Sequence, residues 1–256
     1  MKKQKVRYYV EYTDDFEIAR DQEYKIPDSY EYIRRKPSER FLSGLIYSLA
    51  VIFGYPFCKL VLHTKYKNRK AFRKVKGDGA FIFANHTQPV GDVFLPALAC
   101  FPRRIYTVVS PANFTIPVIG KVLPYLGALP VSDSLKGMKN FGNAIDTRIG
   151  EGKIITIYPE AHVWEYCTQI RPFPSASFRY AVKLSKPVFA MTVTYQKRRF
   201  SKKPRTTVYI DGPFYPDKSL TPRQQAEDLH KKVYDRMLSR SRHSNYSYIK
   251  YEKKTD

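Results

Sequence analysis

Cysteine is scarce in this chain. The three present, Cys58, Cys100 and Cys167, are odd in number, widely scattered and flanked by apolar or aromatic residues. That excludes a disulfide framework and any metal-ligand spacing, and it reads as buried thiols in a reducing compartment. Acidic residues are also few: 23 Asp+Glu stand against 45 Lys+Arg, a formal net charge of +22. The imbalance predicts attraction to polyanions, whether nucleic acid, anionic lipid or phosphorylated substrate. The first forty residues are charged and Tyr-rich and lack the basic tip and apolar core of a cleavable signal peptide. Internal repeats, low-complexity linkers and recognisable nucleic-acid motifs are missing as well. A nucleic-acid-binding role therefore rests only on basic charge and 21 tyrosines, and no nucleic-acid partner is expected.

What is present begins with "FLSGLIYSLAVIFGYPFC" at 41–58, which carries no charge. As a helix it would extend about 27 Å, at the lower limit for crossing a bilayer. Gly44, Gly54, Pro56, two Ser and two Tyr make it less apolar than a spanning helix usually is. "RRKPSER" precedes it, and "KLVLHTKYKNRKAFRKVK" follows with eight Lys/Arg and no acid. Basic residues at both ends give no inside–outside asymmetry, so the expectation is a monotopic segment lying along one leaflet against anionic headgroups.

The chain divides into a charged extension (1–40) expected to be loosely attached, an apolar membrane-associating segment (41–64), a main domain (65–240) and a polar, frayed tail (241–256). The main domain reads as α/β, a central mostly parallel sheet flanked by helices, with 43% of the whole chain hydrophobic. Candidate strands are 80–84, 104–109, 153–158, 187–195 and 206–210. Candidate helices cover about 136–150 and 174–185, and a third starts at "TPRQ", where Thr221 and Gln224 can form a capping box around Pro222. Ala226, Leu229, Val233 and Met237 make its apolar stripe.

"AFIFANHTQPVGD" places His86 at the carboxyl end of a buried strand, the edge where open α/β sheets bind ligands. Pro89 and Gly91 break regularity before Asp92, which stands where the next helix would begin and can serve as its N-cap. Asp92 can also hold one imidazole nitrogen while the other acts as a base. With no G-x-S-x-G elbow and no nearby Cys nucleophile, that base would act on the substrate's own hydroxyl.

A second strand end, "IITIYPEAHVW" (154–164), completes a pattern. Together "NHTQPVGD" and "YPEAHV" resemble the paired motifs of the glycerolipid acyltransferase family, typified by 1-acylglycerol-3-phosphate acyltransferase. "IPVIGKVLPYLGALPV" (116–131) and "KPVFAMTVTY" (186–195) resemble two further blocks, so the similarity covers about 60–215. It implies that His86 and Asp92 are catalytic and that Asn85, Lys121, Glu160, His162 and Arg171 are candidate substrate contacts. Three departures stand out. His86 and Asp92 are separated by five residues where the family has four. The family's E-G-T-R is "EAHV" here, with Ala161 for Gly, His162 for Thr and Val163 for Arg. The arginine that follows the family's second block is replaced by "VSD" (131–133). Either Arg171 or Lys121 stands in for the missing arginines, or the acceptor carries no phosphate there. His162 is a second acceptor contact or a partner for Glu160.

The resemblance implies an enzyme at the cytoplasmic face of the cell membrane, monotopic or peripheral, that moves a fatty acyl group from acyl-CoA or acyl-carrier protein to a lysophospholipid hydroxyl. It implies no metal and no cofactor beyond the donor. Basic stretches such as "KRRFSKKPR" (197–205) would meet CoA phosphates, an acidic carrier protein or lipid headgroups. The alternative within the same fold is a lipid-binding relative that has lost turnover.

Overall fold

The pentapeptide AFIFA at 80–84 has no polar side chain on either face, which suits a parallel strand covered on both sides. The computed structural model, which describes residues 5–16, 21 and 23–254, places it at the centre of a seven-stranded sheet. Among the described residues the strands are β1 (Lys5–Tyr9), β2 (Lys65–Lys67), β3 (Ala80–Ala84), β4 (Ile105–Val109), β5 (Ala128–Pro130), β6 (Ile154–Ile157), β7 (Val188–Gln196), β8 (Arg205–Phe214) and β9 (Ile249–Lys253). The α-helices are α1 (Pro37–Pro56), α2 (Gly91–Cys100), α3 (Ile119–Leu126), α4 (Leu135–Gly150), α5 (Arg179–Lys183) and α6 (Pro222–Ser241).

The main sheet runs β2-β8-β7-β3-β6-β4-β5, and every neighbouring pair is parallel except β7 with β8. Side chains alternate across β3. Phe81 and Phe83 enter a core with Phe141, Ile145, Phe178, Leu229 and Val233, while Ile82 and Ala84 enter one with Leu95, Met191, Val193 and Trp164. Helices α4, α5 and α6 therefore cover one face, and α2 with the two chain ends covers the other. The expected α/β architecture is present, and the five strands read from the sequence all form. The capping box at Thr221 also forms, and α6 buries the four residues of its stripe. The helix read at 174–185 is shorter, a 3₁₀ turn at Ser175–Phe178 leading into α5.

Helix α1 continues through a π turn at Phe57–Val61. Its inner flank packs on α2 and α3, with Ser43 and Gly54 buried. Phe41, Leu45, Leu49, Ile52 and Phe53 remain exposed along the outside.

The two ends of the chain depart from expectation. Where they are described, the extension is held and the tail is ordered: β1 pairs in parallel with β9, from Lys5 opposite Ile249 to Tyr9 opposite Lys253. Parts of both regions, residues 1–4, 17–20, 22, 255 and 256, lie outside the described residues. The anchor is Trp164, fully buried, whose ring lies 4.8 Å from those of Tyr9 and Tyr251 and 5.2 Å from that of Phe16. Its indole N–H donates to the Asp14 carbonyl. The sequence shows no periodicity here because the pairing is non-local and aromatic contacts do the packing.

Tyr251→Ala removes a buried ring stacked on Trp164 and is expected to cost about 3 kcal/mol in denaturant unfolding. A loss below about 1 kcal/mol would mean the ends are only loosely held after all.

Candidate active site

Strand β3 ends at Ala84, and the next residues turn over the carboxyl edge of the sheet. Asn85 is 1% exposed and is used internally: its Nδ2 donates to the Val193 carbonyl at 3.0 Å and its Oδ1 accepts the Val193 N–H at 2.8 Å. This side-chain bridge continues the β3–β7 ladder by one step and fixes where His86 emerges.

His86 Nδ1 lies 2.7 Å from Asp92 Oδ2. The same oxygen accepts the backbone N–H groups of Thr87 at 3.1 Å and Gln88 at 2.9 Å. Asp92 is consequently not the N-cap expected from sequence. Helix α2 begins one residue earlier at Gly91, and its N-cap, Val90, makes no side-chain cap bond. The carboxylate instead reaches back to the loop preceding the helix. The five-residue spacing is absorbed in a turn with Pro89 and Val90 exposed, closed by the Asp92 N–H donating to the Gln88 carbonyl at 3.0 Å. Gly91 permits close packing there, since a Cβ would meet Leu62 Cδ1 at 2.9 Å.

Two tyrosines that the sequence reading did not assign complete the setting. The Tyr158 ring stacks on His86 with centroids 4.3 Å apart, and its hydroxyl donates to the Asp92 carbonyl at 2.7 Å. The Tyr195 hydroxyl is hydrogen-bonded to the Thr87 hydroxyl and accepts from Gln88 Nε2 at 3.1 Å. Burial pushes both phenols well above their ordinary pKa, with the Asp92 charge adding to the shift. They serve as neutral hydrogen-bonding groups. The available signal was position: Tyr158 and Tyr195 both stand at or just beyond the ends of strands adjoining β3.

The second motif lies beneath the first. Glu160 Oε2 accepts the His86 backbone N–H at 3.1 Å and Arg171 Nη2 at 2.9 Å, while Oε1 accepts the Arg171 N–H at 3.0 Å. Both side chains are 1% exposed. Burial holds the Glu160 carboxyl above its ordinary pKa, although the Arg171 guanidinium and the two N–H donors oppose the shift. Arg171 also donates to the carbonyls of His162 and Tyr12 and lies 4.7 Å from the Trp164 ring centroid. The backbone adds two ties, Trp164 N–H to the His86 carbonyl at 3.0 Å and Tyr166 N–H to the Thr87 carbonyl at 2.8 Å.

Of the residues proposed from sequence, the structure therefore brings together Asn85, His86, Asp92, Glu160 and Arg171, but Asn85, Glu160 and Arg171 form the buried support of the loop and not its accessible surface. His162 does not partner Glu160: its Nδ1 lies 3.1 Å from Asp15 of the N-terminal segment. Lys121 is exposed on α3, and no contact among the described residues joins it to His86. No cluster of metal-ligating side chains occurs among the described residues.

A histidine held by a carboxylate at the carboxyl end of a strand, on an α/β sheet with both faces covered, stands where such folds bind ligands. The model of the protein family described as Acyltransferase matches residues 63–194, and the chain belongs to that family. The match takes in the His86–Asp92 loop and the Glu160–Arg171 pair. Among solved structures, the crystal structure of the 1-acyl-sn-glycerophosphate (LPA) acyltransferase PlsC from Thermotoga maritima is similar, with a TM-score of 0.55 and 15% identity over 84% of this chain and 86% of that one. At that identity the likeness concerns the fold. No curated protein sequence matches the chain.

Ala161, where the resemblance expects glycine, has φ of +64° and is exposed. A left-handed alanine costs about 1–2 kcal/mol, part of which a glycine's greater unfolded-state freedom offsets. Ala161→Gly is expected to raise stability by about 0.5–1 kcal/mol in chemical denaturation. A neutral or destabilising result would show that the loop bears no such strain.

Proposed function

We propose that this acyltransferase transfers a fatty acyl group from acyl-CoA or acyl-carrier protein to the hydroxyl of a lysophospholipid of the lysophosphatidic acid type, at a membrane surface. The observation that carries the reading is the 2.7 Å contact between His86 Nδ1 and Asp92 Oδ2 at the carboxyl edge of the sheet. An Nδ1–H donated to the carboxylate fixes the tautomer that leaves Nε2 as the free base. His86 Nε2 removes the proton of the acceptor hydroxyl as its oxygen bonds to the thioester carbonyl. Collapse of the tetrahedral adduct breaks the C–S bond, and the departing sulfur takes the proton back from the imidazolium. Asp92 stabilises that cation throughout, and Tyr158 restrains the ring from its flat side. Asn85, Glu160 and Arg171 act as positioning residues, since their polar groups are turned inward.

The likeness in fold to the LPA acyltransferase PlsC supports a lysophosphatidic acid-type acceptor by analogy. A basic hollow of about 430 Å³ lies between the 59–65 segment and the β7–β8 hairpin, lined by Lys59, Lys65, Lys197, Arg198, Arg199 and Arg205. It adjoins the catalytic loop through Leu62, which packs on Gly91. It suits the phosphates of an acyl donor or acceptor.

Membrane association rests on α1. The apolar helix Pro37–Val61 is long enough to cross a bilayer, yet its flank is docked on the domain along its length. A docked helix with an exposed apolar outer face suits a monotopic position in one leaflet. Three buried free thiols support the cytoplasmic leaflet.

Thiol release from detergent-solubilised protein given palmitoyl-CoA and a panel of lysolipids is expected to depend on the acceptor. It should fall by about 10²–10⁴ in both His86→Ala and Asp92→Asn. If wild type releases no more thiol than His86→Ala with any acceptor or with acyl-carrier protein donors, the catalytic reading fails and a non-catalytic lipid-binding relative replaces it. In vesicle flotation, the pair Ile52→Glu and Phe53→Glu is expected to abolish co-migration. Undiminished flotation would remove α1 from the membrane contact.

A further inference from the structure

Far from His86 lies a second basic concavity. Strand β4 starts at Ile105, β5 at Ala128 and β6 at Ile154, and a cleft of about 770 Å³ opens at these amino ends. The site described above is at the carboxyl edge, about 15 Å away across the sheet. The cleft also borders the first turn of α1, whereas the last turns of that helix pack near Phe94 of α2. A helix of about 30 Å thus runs from one concavity towards the other.

Six cations line the cleft at Arg34, Arg35, Arg40, Arg104, Arg148 and Lys153, of which Arg34 is paired with Glu39 at 4.0 Å. Two of these are held rigidly around a single ring: the Arg104 Cζ lies 5.3 Å, and the Arg148 Cζ 4.5 Å, from the Tyr106 centroid. Arg104 is fixed further by Nη2, which donates to Ser43 Oγ and to the Tyr125 carbonyl, each at 2.7 Å, and by the Tyr47 ring at 4.8 Å. Arg148 donates to Glu151 at 2.9 Å, so one carboxylate serves the pair. The other acid lining the cleft, Glu31, is exposed and forms no ion pair among the described residues. Arg104 Nε and Arg148 Nε are both buried without an acceptor. Arg35, Arg40 and Lys153 have no acidic partner among the described residues. Two guanidinium groups stacked on one ring, beside three cations with no acidic partner, make this cleft favourable for an anion.

We infer that this cleft binds a phosphate ester, at a site separate from the transfer reaction. Tyrosine-stacked guanidinium groups present planar donor forks already oriented for phosphate oxygens, and the cleft exceeds a bare phosphate in size. Phe41 is 76% exposed at its rim, where the apolar face of α1 begins. The ester can therefore belong to a lipid headgroup or to a soluble phosphate, and the test separates the two.

The experiment uses the full chain and reads binding, so its outcome does not depend on acyl transfer. Wild type is compared with Arg35→Gln/Arg40→Gln/Lys153→Gln, and with Lys218→Gln/Arg223→Gln/Arg236→Gln, which removes the same charge from exposed positions on α6 and the turn before it. Each is titrated with phosphatidylcholine vesicles with and without phosphatidylglycerol, and with inorganic phosphate by calorimetry. Arg35→Gln/Arg40→Gln, which leaves the sheet edge untouched, serves if the triple variant does not fold. The cleft variant is expected to lose at least about tenfold in affinity for phosphatidylglycerol vesicles, and the control to stay within about threefold of wild type. A cleft-dependent loss confined to vesicles assigns a lipid headgroup. One confined to inorganic phosphate assigns a soluble ester, and a loss in both supports the site without restricting its source. Equal losses in the two triple variants would reduce the effect to net charge and overturn the site, as would no loss in either titration.

Discussion

Everything around the candidate active site hangs on one buried carboxylate. Glu160 leaves water, and its two oxygens are met by the His86 N–H, the Arg171 N–H and the Arg171 guanidinium. Burying such a pair is expensive, and it is tolerated only when the remaining donors and acceptors are satisfied in good geometry. Here the guanidinium passes the constraint outward to two backbone carbonyls and to the face of Trp164. One charge thereby ties the loop after β3 to the loop after β6 and both to the N-terminal segment. The histidine's position is set by its own main chain, gripped from below, and its ring orientation is set separately by Asp92 and Tyr158.

This division of labour explains the two carboxylates. Asp92 serves the imidazole and two N–H groups of the same loop, and its second oxygen is buried without a partner. Glu160 serves two backbone N–H groups and the Arg171 guanidinium and makes no contact with the imidazole. A gap of five residues between His86 and Asp92 is compatible with a short contact because the turn at Pro89 and Val90 swings outward while Asp92 reaches back. The spacing constrains the loop less than the hydrogen bonds do.

Much of this was legible in the chain. Runs such as AFIFA and IITI can only be strands buried on both faces, and their polar ends therefore meet at one edge. The helix at 222 announced itself through Thr221, Pro222 and Gln224, because caps are local chemistry. What could not be read depends on contacts between distant segments. The roles of Asn85 and Arg171 depend on partners far along the chain or on burial that no local pattern reveals. Asp92 looked like a cap because caps and back-reaching carboxylates occupy almost the same position. The order in the two ends was hidden for a related reason: Tyr9, Trp164 and Tyr251 are far apart along the chain and meet only through the fold.

The pairing of β1 with β9 also orders events in time. Ile249, the partner of Lys5, is made roughly tens of seconds after it at ordinary synthesis rates. Until then Trp164 lacks its cover from Tyr251, and the guanidinium of Arg171 lacks the settled carbonyl of Tyr12. The nascent sheet can assemble with its histidine loop only partly supported. Strand β9 then acts as a clasp, and the loop reaches its final rigidity when translation has passed it.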